Sequence, residues 1–161
     1  YGCPVDGRHR GVGYKFVTGL HAETRRRRDV SMRAIDQVSA DVIDASIRIH
    51  RDLGPGLLES VYELVLAASL KRLGYRVDRQ RPVDIDFEGM HFAGAFRIDL
   101  LVDERLIVEI KSVEQLGRAH GKQLLTYLRL MKLPVGLLLN FAGATMKEGI
   151  RRVVNDYRPA D

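Results

Sequence analysis

The sequence has one cysteine, no tryptophan and no long apolar run, and these shortages remove whole classes of protein. Cys3 cannot close an internal disulfide and has no companion at metal-ligand spacing, so neither a disulfide framework nor a structural zinc site is expected. It reads as an incidental thiol in a reducing, cytoplasmic setting. No stretch approaches the roughly 18 unbroken apolar residues of a membrane span, and the first residues lack the charged-then-apolar plan of a signal peptide. Strong charge of one sign is also missing from most of the chain. The formal net charge of +5 invites a nucleic-acid partner. Yet residues 1–31 hold seven Lys and Arg against three acids, while the other 130 residues hold nineteen against eighteen. Global basicity therefore says little about the domain, and a functional argument must rest on a site.

What is present suits one globular domain: 161 residues, 45% of them hydrophobic, enough to bury an ordinary core. Residues 1–31, rich in Gly and Arg without a sustained period, read as a flexible Arg-rich leader, with Met32 a candidate natural start and 32–161 the domain. Ile35, Val38, Val42, Ala45 and Ile49 then form the stripe of an amphipathic helix ending near Leu53. Gly54-Pro55-Gly56 breaks the chain before a second helix over 57–73, closed by Gly74. That helix is apolar over most of its circumference, which predicts burial between the sheet and the first helix. Strands are expected over 75–87, 94–102 and 106–113, with Pro82 marking an edge or a bulge. A helix follows over 118–131, then a strand over 135–141 covered on both faces. Residues 146–155 fit either a short helix or a further strand. This order implies an α/β fold with a mixed sheet and flanking helices.

In Val108-Glu109-Ile110-Lys111, the two-residue strand period points Glu109 and Lys111 to one face. A three-residue loop at 103–105 would set Asp99 opposite Glu109; a two-residue loop would send Asp99 to the other face. Two adjacent carboxylates repel unless a cation lies between them, and oxygen-only ligands favour Mg²⁺ or Mn²⁺. Such an ion can activate water and stabilise the charge of phosphodiester attack. The plainer alternative is a solvent-facing ion pair. Against it, the surrounding Leu100, Leu101, Val102, Leu106, Ile107, Val108 and Ile110 suggest strands covered on both faces, where charge needs a reason.

Glu59 shares a helical strip with Glu63, Leu66 and Leu70, and the spacing admits either a metal ligand or an N3 glutamate at the helix start. His120, Gln123 and Tyr127 fall on one face of the later helix, as a phosphate-binding or a solvated face. His50 reads as a partly buried residue near a helix end rather than a ligand. Arg97 shares a strand face with Asp99, and Arg79, Arg81, Arg118 and Lys122 flank the same region; they could track a phosphate backbone or be ordinary surface arginines and lysines.

Gly56-Leu57-Leu58-Glu59-Ser60-Val61-Tyr62 has the form G-x-x-E-x-x-Y, and with IHRDLGPGLLESVYE, FRIDLLV, LIVEIKSVE, QLLTYLRL and LLLNF it resembles the GxxExxY protein family over roughly residues 35–155. That family is similar to a compact branch of the PD-(D/E)XK nuclease superfamily. The resemblance implies a restriction-endonuclease-like core and a Mg²⁺-dependent nuclease acting on nucleic acid, with DNA the expected form and a homodimer a candidate assembly. It makes Asp99 the acid of the second core strand and Glu109 with Lys111 the E-x-K pair, with Ile98 standing where the superfamily's name has proline. It makes Glu59, Asp99, Glu109 and the Ile110 carbonyl the metal ligands. Gln123 and Tyr127 match a Q-x-x-x-Y motif that helps to hold nucleic acid, with Arg97 beside it. The alternative is a catalytically silent nucleic-acid-binding or regulatory partner module on the same fold.

Overall fold

The structure, a computed structural model, describes residues 34–156; the leader and Met32 lie outside them. Helix α1 (Ile35–Leu53) buries the expected Ile35, Val38, Val42, Ala45 and Ile49. Ser39 and Ser46 on the same face donate their hydroxyls to the carbonyls of Ile35 and Val42, four residues back, which lets a polar atom enter the core at little cost. Gly54 and Gly56 both take positive φ, 74° and 101°, conformations that side chains resist. Helix α2 (Glu59–Arg72) starts two residues later than the sequence suggests and ends just before Gly74, whose φ is 93°.

Helices α1 and α2 lie side by side on one face of the sheet, so α2 is not sandwiched between α1 and the strands. Both touch the strands directly, and α2 buries only Tyr62, Glu63, Leu66, Ala67 and Leu70 while Val61 and Leu64 stay exposed. An all-round apolar sequence was misleading because the helix has a single covered face.

The sheet runs β1 (Val77–Phe87), β2 (Met90–Val102), β3 (Leu106–Lys111), β4 (Val135–Asn140) and β5 (Ile150–Val154), in that spatial order. Among the described residues the one parallel pair is β3 with β4, joined by helix α3 (Arg118–Met131), and the other neighbours are antiparallel. The ambiguous tail is both of its options in turn, a short helix α4 (Met146–Gly149) and then β5. Pro82 lies on the edge strand β1, with a register shift just beyond it between Val83 and Ile85, where a missing N–H costs no ladder bond. Strand β2 begins at Met90 rather than at 94. Glu88 and Gly89 take φ of 50° and 77° between the paired Phe87 and Met90, the two-residue turn that matches strand twist. Gly94 looked like a strand boundary but lies inside β2.

Two cores form. Leu100, Val102, Leu106, Val108, Ile110, Val135, Leu137 and Leu139 face α1 and α2. Ile98, Leu101, Ile107 and Leu138 face α3, where Leu124 and Leu128 meet them. Alternation along β3 therefore sends Ile107, Glu109 and Lys111 toward the α3 side. Ile98 and Leu100 should share a face by the same rule but enter different cores. The strand changes face at Asp99.

Candidate active site

Asp99 and Glu109 meet because of where the β2–β3 ladder stops. Val102 pairs with Leu106, so residues 103–105 are the three-residue loop the site requires, and the ladder continues through Leu101↔Ile107 to end at Leu100↔Val108. One step further the acids replace the main-chain ladder. The Ile110 N–H donates to Asp99 Oδ2 at 2.8 Å, and the Asp99 main chain donates to the Glu109 carboxylate. On the other edge, Gln80 stands opposite Asp99, between Arg79↔Leu100 and Arg81↔Ile98, with a left-handed φ of 51°. Asp99 thus occupies a kink at which β2 leaves β3.

Glu109 is 4% exposed, in a strand buried at every position but its last. Its Oε1 is buried without a hydrogen-bond partner among the described residues, and its Oε2 lies 3.8 Å from Lys111 Nζ. Burial pushes its carboxyl up to about 8, and neighbouring Asp99 and Glu59 push the same way, against Lys111. The Asp99 carboxyl is also raised, first by burial and then by Glu63, while the Ile110 N–H, Lys111 and Gln80 oppose the rise. A solvent-facing ion pair does not describe these groups: the acid is inside, and lowering its proton affinity needs more positive charge than Lys111 supplies.

Glu59 arrives from α2. It is the first helical residue, after N-cap Leu58, and its Oε1 accepts from the Ser112 N–H at 2.9 Å, just beyond β3. The N3 placement is corrected to N1, because the helix begins two residues late. Ser112 Oγ also donates to the Leu57 carbonyl, so the start of α2 is tied to the end of β3. Tyr62 anchors the turn before Glu59: it is fully buried, stacks on Phe141 at 4.3 Å, donates to the Gly54 carbonyl and accepts from the Leu57 N–H. Gly56, Glu59 and Tyr62 thus have distinct tasks: a backbone turn, a carboxylate at the cleft, and a brace. An open groove of about 820 Å³, lined by Pro55, Gly56, Leu57, Leu58, Glu59, Ser60, Ser112, Glu114 and Ala142, runs beside this junction.

Helix α3 closes the other side. Gln123 Nε2 donates to Tyr127 Oη at 2.8 Å, and the Tyr127 ring stacks on Phe96 at 4.1 Å. Burial raises the Tyr127 phenol, and Glu109 adds to the rise, which places it within the field of the acids. His120 accepts from the Gly117 N–H and caps α3 rather than joining the site. His50 is buried against Phe141, its Nε2 2.9 Å from the Gly143 carbonyl, as its position suggested. Of the basic residues, Arg79 pairs with Glu63 and Arg81 with Asp78, whereas Arg97, Arg118 and Lys122 are exposed.

A model of the PD-(D/E)XK nuclease superfamily matches residues 36–153, from the first turn of α1 into β5. The chain belongs to the PD-(D/E)XK nuclease superfamily. No curated protein and no solved structure matches it. The mixed five-stranded sheet with flanking helices fits that fold, and members of the superfamily generally use divalent metals. No three His, Cys, Asp or Glu side chains are gathered at metal-holding distance among the described residues. The donor chemistry fits such an ion nonetheless. Glu109 carries an orphaned buried oxygen, its carboxyl and that of Asp99 are destabilised as anions, and Glu59 is close enough to add to the effect. An oxygen-only set of this kind suits a hard divalent cation.

Two participants were not legible as site residues. Glu63 was noted only as part of the inner strip of α2, and it is buried with both oxygens engaged by Arg79 and Gln80. Gln80 had no signal, since nothing local marks a glutamine that takes left-handed backbone inside a strand.

Proposed function

We propose that this domain is a Mg²⁺- or Mn²⁺-dependent nuclease that hydrolyses phosphodiester bonds in nucleic acid, with DNA as the expected substrate, and that it lies within the GxxExxY branch of its superfamily. The single observation behind the reading is Glu109: a buried carboxylate with an unpartnered oxygen beside a second strained acid. In a protein interior that arrangement is costly, and a divalent cation relieves it. In this reading Asp99, Glu109, Glu59 and the Ile110 carbonyl hold the ion, which when bound polarises a phosphate oxygen and lowers the pKa of a water. Lys111, its stem largely covered and its ammonium beside Glu109, orients the attacking water and stabilises the developing phosphorane charge. Gln123 and Tyr127 offer an amide and a phenol edge to the nucleic-acid backbone, and Arg97, exposed on β2 just before Ile98 and Asp99, supplies charge. Homodimerisation belongs to the same reading and is read by sedimentation at rising concentration.

A second reading, a binding or regulatory module without turnover, is favoured by one observation: Glu59 already accepts the Ser112 N–H, leaving it a poorer ligand. One experiment separates the two. Plasmid, linear and single-stranded DNA and RNA are incubated with Mg²⁺ or Mn²⁺ and with wild type, Asp99→Ala or Lys111→Ala. Cleavage by wild type that both substitutions abolish is expected; cleavage surviving both sinks the mechanism, and salt-sensitive binding without any cleavage supports the silent module.

A further inference from the structure

Three features that a fold avoids meet at one contact. Gln80 adopts φ 51° within β1, a conformation that costs a non-glycine residue on the order of 1 kcal/mol or more. Glu63 is 4% exposed in a helical strip otherwise filled by Tyr62, Leu66 and Leu70, where an apolar side chain would serve stability better. The Glu63 and Asp99 carboxylates also lie within reach of one amide, so two acids are held near each other between α2 and β2.

What joins them is the Gln80 amide. Its Nε2 lies 2.5 Å from Glu63 Oε2 and 3.4 Å from Asp99 Oδ1. Arg79 Nε donates to the other Glu63 oxygen at 2.8 Å, which fixes Glu63 in turn. Asp99 Oδ2 is held from the opposite side by the Ile110 N–H. A regular strand could not make this connection. Arg79 pairs with Leu100, whose side chain faces α1 and α2, and alternation would carry Gln80 to the α3 side; the left-handed residue lets it reach a carboxylate on α2 and one on β2 together. An unusual backbone that persists where three costs coincide marks a constraint other than stability.

We propose that Gln80 and Glu63 are positioning residues for Asp99: Glu63 holds the Gln80 amide, and the amide sets the Asp99 carboxylate angle, so that its oxygens present to a divalent cation without rotating away. The inference rests on the metal-binding reading above and extends it to two residues outside the acids and lysine of the site. Groups that orient a metal ligand through a hydrogen bond typically change affinity by about 10–100-fold when removed.

The test uses the full chain and Mn²⁺ alone, with affinity from calorimetric titration and melting temperature measured without metal. Gln80→Gly removes the amide and eases the backbone but leaves a buried Glu63 oxygen without its donor, so its metal-free melting temperature should fall modestly, whereas Mn²⁺ affinity should fall about tenfold or more. Gln80→Asn tolerates the left-handed backbone but is one methylene too short to span both acids; it should lose affinity similarly and covers the case in which the glycine variant folds poorly. Glu63→Gln keeps one acceptor oxygen, enough for the Gln80 amide or for Arg79 but not for both, and should keep part of the affinity that Glu63→Ala loses. Gln80 variants that bind Mn²⁺ as tightly as wild type overturn the positioning role. Wild type that binds no Mn²⁺ overturns the metal reading instead, a different failure visible in the same titration.

Discussion

Replacing Glu109 by glutamine probes the electrostatics of the site without metal or nucleic acid. Burial and Asp99 raise the Glu109 carboxyl from the ordinary 4.5 to about 8. In the unfolded chain the group ionises near its ordinary value, so in the window between those two values folding takes up a proton. The stability contribution of this group is whole below the unfolded pKa and is lost as pH rises through the folded one. A rise of that size corresponds to at most about 5 kcal/mol. Asp99 is raised in the same direction and titrates with it, and real interiors respond more softly than dry protein, so about 2–3 kcal/mol is the expected share of Glu109. For a chain of this size that is roughly 5–10 °C in melting temperature.

The assay is calorimetric melting of metal-free protein in chelator from about pH 5 to about pH 8.5. Wild type should melt progressively lower as pH rises. Glu109→Gln keeps the shape and cannot ionise, so its curve should be flatter and should lie above wild type at the alkaline end. If wild type shows no fall across the window, or the glutamine variant falls with the same slope, the carboxylate is not held as an uncompensated buried acid and the principal argument for a cation site fails.

Two further substitutions test the scaffold. Tyr62→Phe removes the hydroxyl that bonds Gly54 and Leu57 while keeping the stack on Phe141; a loss of about 1–2 kcal/mol in urea denaturation is expected, with hydrogen exchange faster over residues 54–58, and unchanged exchange there would show that the turn does not depend on it. Gly149→Ala places a Cβ 2.0 Å from the Asn140 carbonyl oxygen, backbone that cannot step aside, so the midpoint should drop by the equivalent of about 3 kcal/mol, and an unshifted midpoint would refute the close packing of α4 on the end of β4.

The sequence carried the parts of the fold that obey local rules. Period-three-and-four spacing located α1 and α3, glycine and proline located the breaks, and an unbroken apolar run located β4, because each depends on residues within one turn or one strand. It carried less where an element's environment is distant. The circumference of α2 is apolar by composition, but only contact with α1 and the sheet on one side decides which residues are covered, and Leu64 at 54% exposed shows how far composition can mislead. The early start of β2 was hidden because Glu88-Gly89 lacks the Asn or Asp that usually advertises such a turn, while Gly94 advertised one that is not there.

At the site the division is the same. Glu109 and Lys111 follow from strand period, and Asp99 follows from the loop length, since Val102↔Leu106 leaves only one parity for the residues behind it. Glu59 could be assigned to a helix start but not to Ser112, which is 53 residues away, and Gln80 could not be assigned at all. The residues that escaped are those whose local conformation is unfavourable by itself. A left-handed glutamine, a buried glutamate on a helix and a ladder that ends early each contradict a local rule, and sequence reading works by applying those rules. All three departures converge on the carboxylate of Asp99, and strains retained for one purpose collect in this way, which is the structural support for the proposed site.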